Sequence, residues 1–200
     1  DRIAGRQADA DLDRSLSFAS TEVQERRADL AFALARVDDR ELAALVRRDD
    51  TDATRVLVAR TWGRSTGSDP SALRVSFTST GDRTWPSRGE VGAYVDVRAG
   101  TAVRRVHVVE VGAMDAILRR VGNEADVRLA VQDVGGESFG DDQPARVRTL
   151  ELDAETDTVL AAGIDGSSTS ILLRGRSREV QAALVMLLAA AVVYKVALVM

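Results

Sequence analysis

Five side chains near the middle of the chain have groups that could bind a small molecule. Trp85 and Tyr94 flank a predicted turn in a chain with few aromatic residues. Arg83 and Arg105 lie nearby and could bind an anionic group through paired N–H donors. His107 follows on the next predicted strand. These residues predict a ligand pocket, and the alternative is that the two rings simply close the apolar core of a small sheet.

The residue types argue against catalysis by this chain. His107 is the only histidine and cysteine is absent, so a nucleophile–base pair built on either residue has no support. A lone histidine beside Val109 and Val111 is more often a packed wall residue than a ligand or a base. Carboxylates are numerous, but they lie in predicted turns and on helix faces, where solvated charge explains them. We therefore expect no catalytic residues, no metal site and no cofactor.

The charge balance bears on possible partners. The formal net charge is −4, whereas a nucleic-acid-binding protein normally carries a basic face. Nucleic acid is therefore not an expected partner.

The elements that must position these residues begin with a long helix. Seven apolar residues recur at steps of three, four and seven, which places them on one helix face. They are Leu12, Leu16, Ala19, Val23, Leu30, Leu34 and Val37. Arg26 and Arg27 interrupt this seam where the next apolar residue would fall. Either the seam forms a dimer stalk with a second copy, or the helix lies with this face on its own domain.

Two shorter helices and then a set of strands are predicted after the long helix. Asp38 and Glu41 have capping-box spacing, and a third helix carries Trp62. A Gly-, Ser- and Pro-rich segment, 63–71, separates this helical front, residues 1–62, from a strand-rich remainder. Alternating apolar residues predict strands over 73–77, 91–97, 106–111, 127–131, 147–152, 159–162 and 170–173, with a helix over 113–121. The order of elements predicts an α+β fold.

The end of the chain is a long apolar run. Val180–Met200 is interrupted only by Gln181, Tyr194 and Lys195, and about 20 such residues are enough to cross a bilayer as a helix. We expect residues 177–200 to form a juxtamembrane and transmembrane helix in contact with the lipid bilayer. The alternative is a buried or dimer-forming helix.

This order of elements resembles the extracytoplasmic sensor domains of bacterial transmembrane receptors, the Cache and CHASE-type relatives of the PAS fold. Three segments carry the resemblance: a strand–helix–strand unit over 108–133, a closing hairpin over 159–175, and the charged start of the last helix at Ser177. The resemblance implies that residues 70–176 form a PAS-like antiparallel sheet with an internal helix. The spaced Tyr, Arg, Trp and Asp of amino-acid-binding double-Cache domains are not evident, so no ligand residues are carried over.

The resemblance also implies a function. The chain would be the sensor region of a homodimeric signalling receptor in the bacterial inner membrane, with the domain outside the cytoplasm. A small molecule of unknown identity, or a partner protein, would shift the sheet and thereby the transmembrane helix. A histidine kinase or a diguanylate cyclase would supply the output elsewhere in the protein. The alternatives are a membrane-anchored structural or assembly subunit of an envelope or secretion complex, and a tail-anchored protein whose domain faces the cytoplasm.

Overall fold

The structure, a computed structural model, describes residues 2–66, 70–80, 89–132, 135–153 and 158–165. These ranges hold four α-helices and six β-strands, which confirms the α+β class. The helices are α1 (Arg2–Ala35), α2 (Asp39–Arg47), α3 (Thr51–Thr66) and α4 (Ala113–Ala125), and a short 3-10 helix covers Pro70–Ala72. The strands are β1 (Leu73–Ser79), β2 (Val91–Ala99), β3 (Ala102–Glu110), β4 (Arg128–Val131), β5 (Arg146–Asp153) and β6 (Thr158–Ile164).

The apolar seam, which runs along α1 and ends at Val37 just after it, faces the interior of a single copy of the chain. Its members are at most 6% exposed: Leu12, Leu16, Ala19, Val23, Leu30, Leu34 and Val37. They belong to one apolar core together with residues of both sheets. The second alternative, an amphipathic helix on its own domain, therefore describes α1. The expected dimer stalk through these seven residues is incompatible with this burial, because their side chains are already covered by the same chain.

The two helices after α1 begin at carboxylates, and the first of them begins after Asp38, as the sequence predicts. Asp38 accepts hydrogen bonds from the backbone N–H groups of Arg40 at 3.0 Å and Glu41 at 2.9 Å. Asp50 accepts from the backbone N–H of Ala53 at 2.9 Å. Both satisfy donors that a helix N-terminus leaves without an internal partner. The third helix continues to Thr66 and so extends into the segment predicted to be a boundary.

The strands form two sheets of three strands each within the described residues. Sheet A has the order β1-β3-β2 and sheet B the order β4-β6-β5, and every pairing is antiparallel. The single PAS-like sheet is therefore not what these residues form. The reason lies at α4, which carries the chain from the end of β3 to β4, and β4 then pairs with β6. The strand predicted over 170–173 lies outside the described residues.

The helical front and both sheets share one apolar core. Buried Leu12 and Leu30 of α1, Trp62 of α3, Val91 of β2 and Leu160 of β6 all belong to it. The three helices of this front therefore contribute to the same apolar core as the two sheets.

The expected membrane helix cannot be compared with this fold. Among the described residues, no helix combines the length and the hydrophobicity that a membrane crossing requires. The predicted span, 177–200, lies outside those residues.

Candidate functional site

Three of the five predicted ligand residues meet on one face of sheet A. The hairpin of β2 and β3 pairs Tyr94 with His107, and Asp96 with Arg105. Its two-residue turn contains Gly100, whose φ of 77° lies in the region that glycine adopts without strain. This face is opposite to the one that contributes Val91, Val106 and other residues to the core, because successive strand residues point to opposite sides. We call it the outer face of sheet A.

Two of the five predicted residues cannot be placed relative to this group. Arg83 and Trp85 lie outside the described residues. Their part in a pocket stays a prediction.

Arg105 on the outer face contacts both the carboxylate of Asp96 and the ring of Tyr94. Its Nε donates to Oδ1 of Asp96 at 2.7 Å, and its Nη2 donates to Oδ2 at 2.9 Å. The guanidinium carbon also lies 4.1 Å from the centre of the Tyr94 ring. The sequence predicts paired donors for an anionic ligand, and in this structure Asp96 occupies them. A ligand carboxylate or phosphate would have to replace the Asp96 carboxylate to use the same two N–H groups.

The electrostatics of this pair follow from its geometry. The hydrogen bond from Arg105 lowers the pKa of the Asp96 carboxyl below its usual value, and the charges of Arg105 and His107 act in the same direction. Partial desolvation opposes the shift without reversing it. Asp96 therefore stays ionised well into the acidic range and keeps its partner.

His107 is a wall residue of this group. Its side chain is fully buried, and its Nε2 shares a hydrogen bond of 2.6 Å with Oγ1 of Thr78 on β1. Its ring centre lies 6.2 Å from that of Tyr94. The sequence-based expectation that a lone strand histidine is a packed residue agrees with this burial.

A cleft lies elsewhere, between the end of α4 and sheet B. It has a volume of about 440 Å³ and is lined by Leu118, Arg119, Asn123, Arg128 and Phe139, among others. A size of this order is common for small-molecule sites. An adjoining opening of about 460 Å³ extends to Asp165.

Arg128 lines this cleft, and two carboxylates and an aromatic ring contact its guanidinium. Its Nη1 lies 3.1 Å from a carboxylate oxygen of Asp142 and 3.2 Å from one of Asp165, and its guanidinium lies 5.1 Å from the Phe139 ring centre. Sequence reasoning missed this group. The only signal was that both aspartates lie in predicted turns, which says nothing about a shared partner.

Metal binding finds no support in the part of the chain that the structure describes. There, no three His, Asp or Glu side chains are grouped so that they could hold an ion.

Comparison with known proteins gives no relative. No family model, no curated protein and no solved structure matches this chain.

Proposed function

We propose that this chain is the extracytoplasmic sensing region of a bacterial membrane receptor, anchored by a helix over 177–200. The observation that carries the proposal is the group of Tyr94, Arg105, Asp96 and His107 on the outer face of sheet A. It presents an aromatic ring and an exchangeable guanidinium on the side of the sheet opposite the core. The apolar run at the end of the sequence supplies the proposed membrane contact.

The proposed signal is an exchange of partners at Arg105. A ligand with a carboxylate or phosphate group would stack on Tyr94 and take the two N–H donors that Asp96 now occupies. The ligand shifts an equilibrium only if it binds the two arrangements differently, and release of Asp96 supplies that difference. Asp96 lies on β2 and Arg105 on β3, and β2 packs on α1. A shift of these two strands on release of Asp96 would therefore move α1, and α1 would pass the movement to sheet B.

Ligand binding is tested by thermal shift with a panel of small carboxylates and phosphates. We expect at least one compound to raise the melting temperature of the full chain, and Arg105→Met to abolish that increase. Arg98→Met is the matched control, because Arg98 lies on the same exposed face of β2 and should leave the increase intact. A panel without any shift, or an increase that survives in Arg105→Met, would count against this site.

Membrane anchoring is tested separately by flotation with phosphatidylcholine–phosphatidylglycerol vesicles. The full chain is expected to float with the vesicles. A variant with Leu188→Asp and Val192→Asp should stay in the dense fractions, because charged side chains are costly in the hydrocarbon core. Equal behaviour of the two proteins would remove the anchor from the proposal.

One observation favours the alternative, a membrane-anchored assembly subunit. The outer face of sheet A also exposes two apolar side chains, Val103 at 41% and Tyr94 at 44%, which lie on either side of the pair of Arg105 and Asp96. Aromatic and arginine side chains exposed together are typical of protein–protein interfaces. A photo-crosslinking amino acid in place of Tyr94 distinguishes the two. Adducts with one protein in cells, together with no ligand shift, would support the assembly role.

A further inference from the structure

Beside Val23, where Arg26 and Arg27 interrupt the seam of α1, four polar residues of the helix contact α4, β5, β3 and the residue that precedes β2. We call Glu22, Gln24, Arg26 and Arg27 the polar cluster of α1. Glu22 forms an ion pair with Arg120 of α4, and Arg26 forms one with Glu110 at the end of β3. Gln24 donates a hydrogen bond to the backbone oxygen of Leu152 in β5 at 3.1 Å. Arg27 donates one to the backbone oxygen of Glu90, just before β2, at 3.3 Å. The interruption noticed in the sequence is thus the place where α1 contacts parts of both sheets and α4.

The pair of Arg26 and Glu110 is the best-defined contact of this cluster. Nε of Arg26 donates to Oε2 of Glu110 at 2.5 Å, and Nη2 donates to Oε1 at 2.7 Å. The Glu110 side chain is only 10% exposed. The guanidinium of Arg26 also lies 5.1 Å from the ring centre of Trp62. Hydrogen bonding to Glu110 raises the pKa of Arg26, so the guanidinium keeps its charge beside the Glu110 carboxylate.

An apolar seam alone does not fix the axial position of a helix. A small slide or rotation exchanges one apolar contact for another, and the hydrophobic effect depends on buried area more than on direction. A bidentate guanidinium–carboxylate pair has one favourable geometry. Displacement of α1 by one turn would break it and leave two poorly solvated charges without partners, which is strongly unfavourable.

We propose that the pair of Arg26 and Glu110 is a register lock, which fixes the axial position of α1 relative to sheet A and α4. Glu110 is suited to this position because it ends β3 two residues before Gly112, whose φ of 77° starts the passage to α4. The lock therefore lies where the chain leaves sheet A for sheet B. This role does not depend on any ligand.

The test measures distances between spin labels in the full chain, which has no native cysteine. Labels are attached through Ala28→Cys on α1, combined with either Arg98→Cys on β2 or Thr149→Cys on β5, all at exposed positions. The lock is removed by Arg26→Met together with Glu110→Leu. Paired apolar replacement of a buried ion pair is often neutral or stabilising, so we expect cooperative unfolding at an equal or higher temperature.

The distance distributions decide the outcome. We expect each to have one narrow maximum in the unsubstituted protein, and at least one to gain a second maximum in the paired variant, displaced by up to about 5.4 Å, one helical turn. The control is Asp9→Asn with Arg146→Gln, a more exposed pair between α1 and β5, which should leave both distributions unchanged. Unchanged distances in the paired variant, loss of its cooperative unfolding, or the same second maximum in the control would overturn the proposal.

Discussion

At the scale of single residues, the side chains on the outer face of sheet A differ in their exposure and in their hydrogen-bond partners. Arg105 is bound by Asp96 and stacked on Tyr94, whereas His107 is buried and bonded to Thr78. Arg105 is therefore the group that can change partner, and His107 is the group that keeps the wall in place. Sequence spacing brought these residues together as candidates, but it did not show that Asp96 already occupies the donors.

The first prediction concerns Asp96 and pH. Because its pKa is lowered in the folded state, the pair with Arg105 stabilises the fold above the ordinary aspartate pKa of about 3.9. This contribution is lost as the pH falls through the lowered pKa. We expect Asp96→Asn to lower the unfolding free energy by about 0.5 kcal/mol at pH 7, a small value because the pair is partly exposed.

Urea unfolding at a series of pH values measures this effect. The difference between Asp96→Asn and the unsubstituted protein should shrink as the pH falls below the ordinary aspartate pKa of about 3.9. Asp52→Asn is the control, since that carboxylate is 92% exposed and 3.7 Å from Arg55. A difference that stays constant down to the lowest pH would contradict the assignment.

At the scale of elements, the end of α4 shows how one glycine allows a close approach. The backbone N–H of Val127 donates to the oxygen of Gly122 at 2.9 Å, and Asp126 between them has a φ of 54°. The chain thus turns back onto the last turn of α4 before β4 begins. A Cβ at position 122 would lie 2.8 Å from the backbone oxygen of Val127, which is too close for a carbon atom.

The second prediction is that Gly122→Ala destabilises the protein. In a helix this change normally stabilises by about 1 kcal/mol, but here the added methyl meets backbone, and overpacking of this kind costs about 1–3 kcal/mol. We expect a net loss of about 1 kcal/mol in the unfolding free energy. Chemical denaturation measures it, with Asn123→Ala, an exposed neighbour, as a control expected within about 0.5 kcal/mol. A stabilised Gly122→Ala variant would show that the approach of Val127 is not as described.

At the scale of the whole molecule, α1 organises one core. Its apolar face supplies buried residues along its length from Ala8 to Leu34, and its polar cluster contacts both sheets and α4. The same helix leaves Phe18 and Phe32 about half exposed on its other side. A homodimer, if the receptor proposal holds, would therefore use a surface other than the seam.

The third prediction separates the core role of the seam from a dimer role. Leu16→Ala should lower the unfolding free energy by about 3 kcal/mol, because it removes a buried leucine side chain. Phe18→Ala, at an exposed position on the same helix, should stay within about 0.5 kcal/mol. Both are measured by urea denaturation over a hundredfold range of protein concentration. A concentration-dependent midpoint that Leu16→Ala abolishes would instead show that the seam joins two copies.

Much of the fold was predictable because its signals are local. The seam of α1, the cap at Asp38 and the alternation in β2 each depend on residues a few positions apart. The same local logic misjudged β3, which begins at Ala102, before its apolar run, because Arg104 and Arg105 are held by partners that a local pattern does not show.

The sequence by itself determined the types of the elements, the apolar face of α1 and the residues that could carry binding chemistry. Tertiary structure alone decided that the strands form two sheets, that the seam is covered by the same chain, and that Arg26 lies opposite Glu110. The physical reason is range. Periodicity and capping act over one or two turns of chain, whereas strand pairing and ion pairing join residues far apart in sequence, and many pairings satisfy the same local pattern.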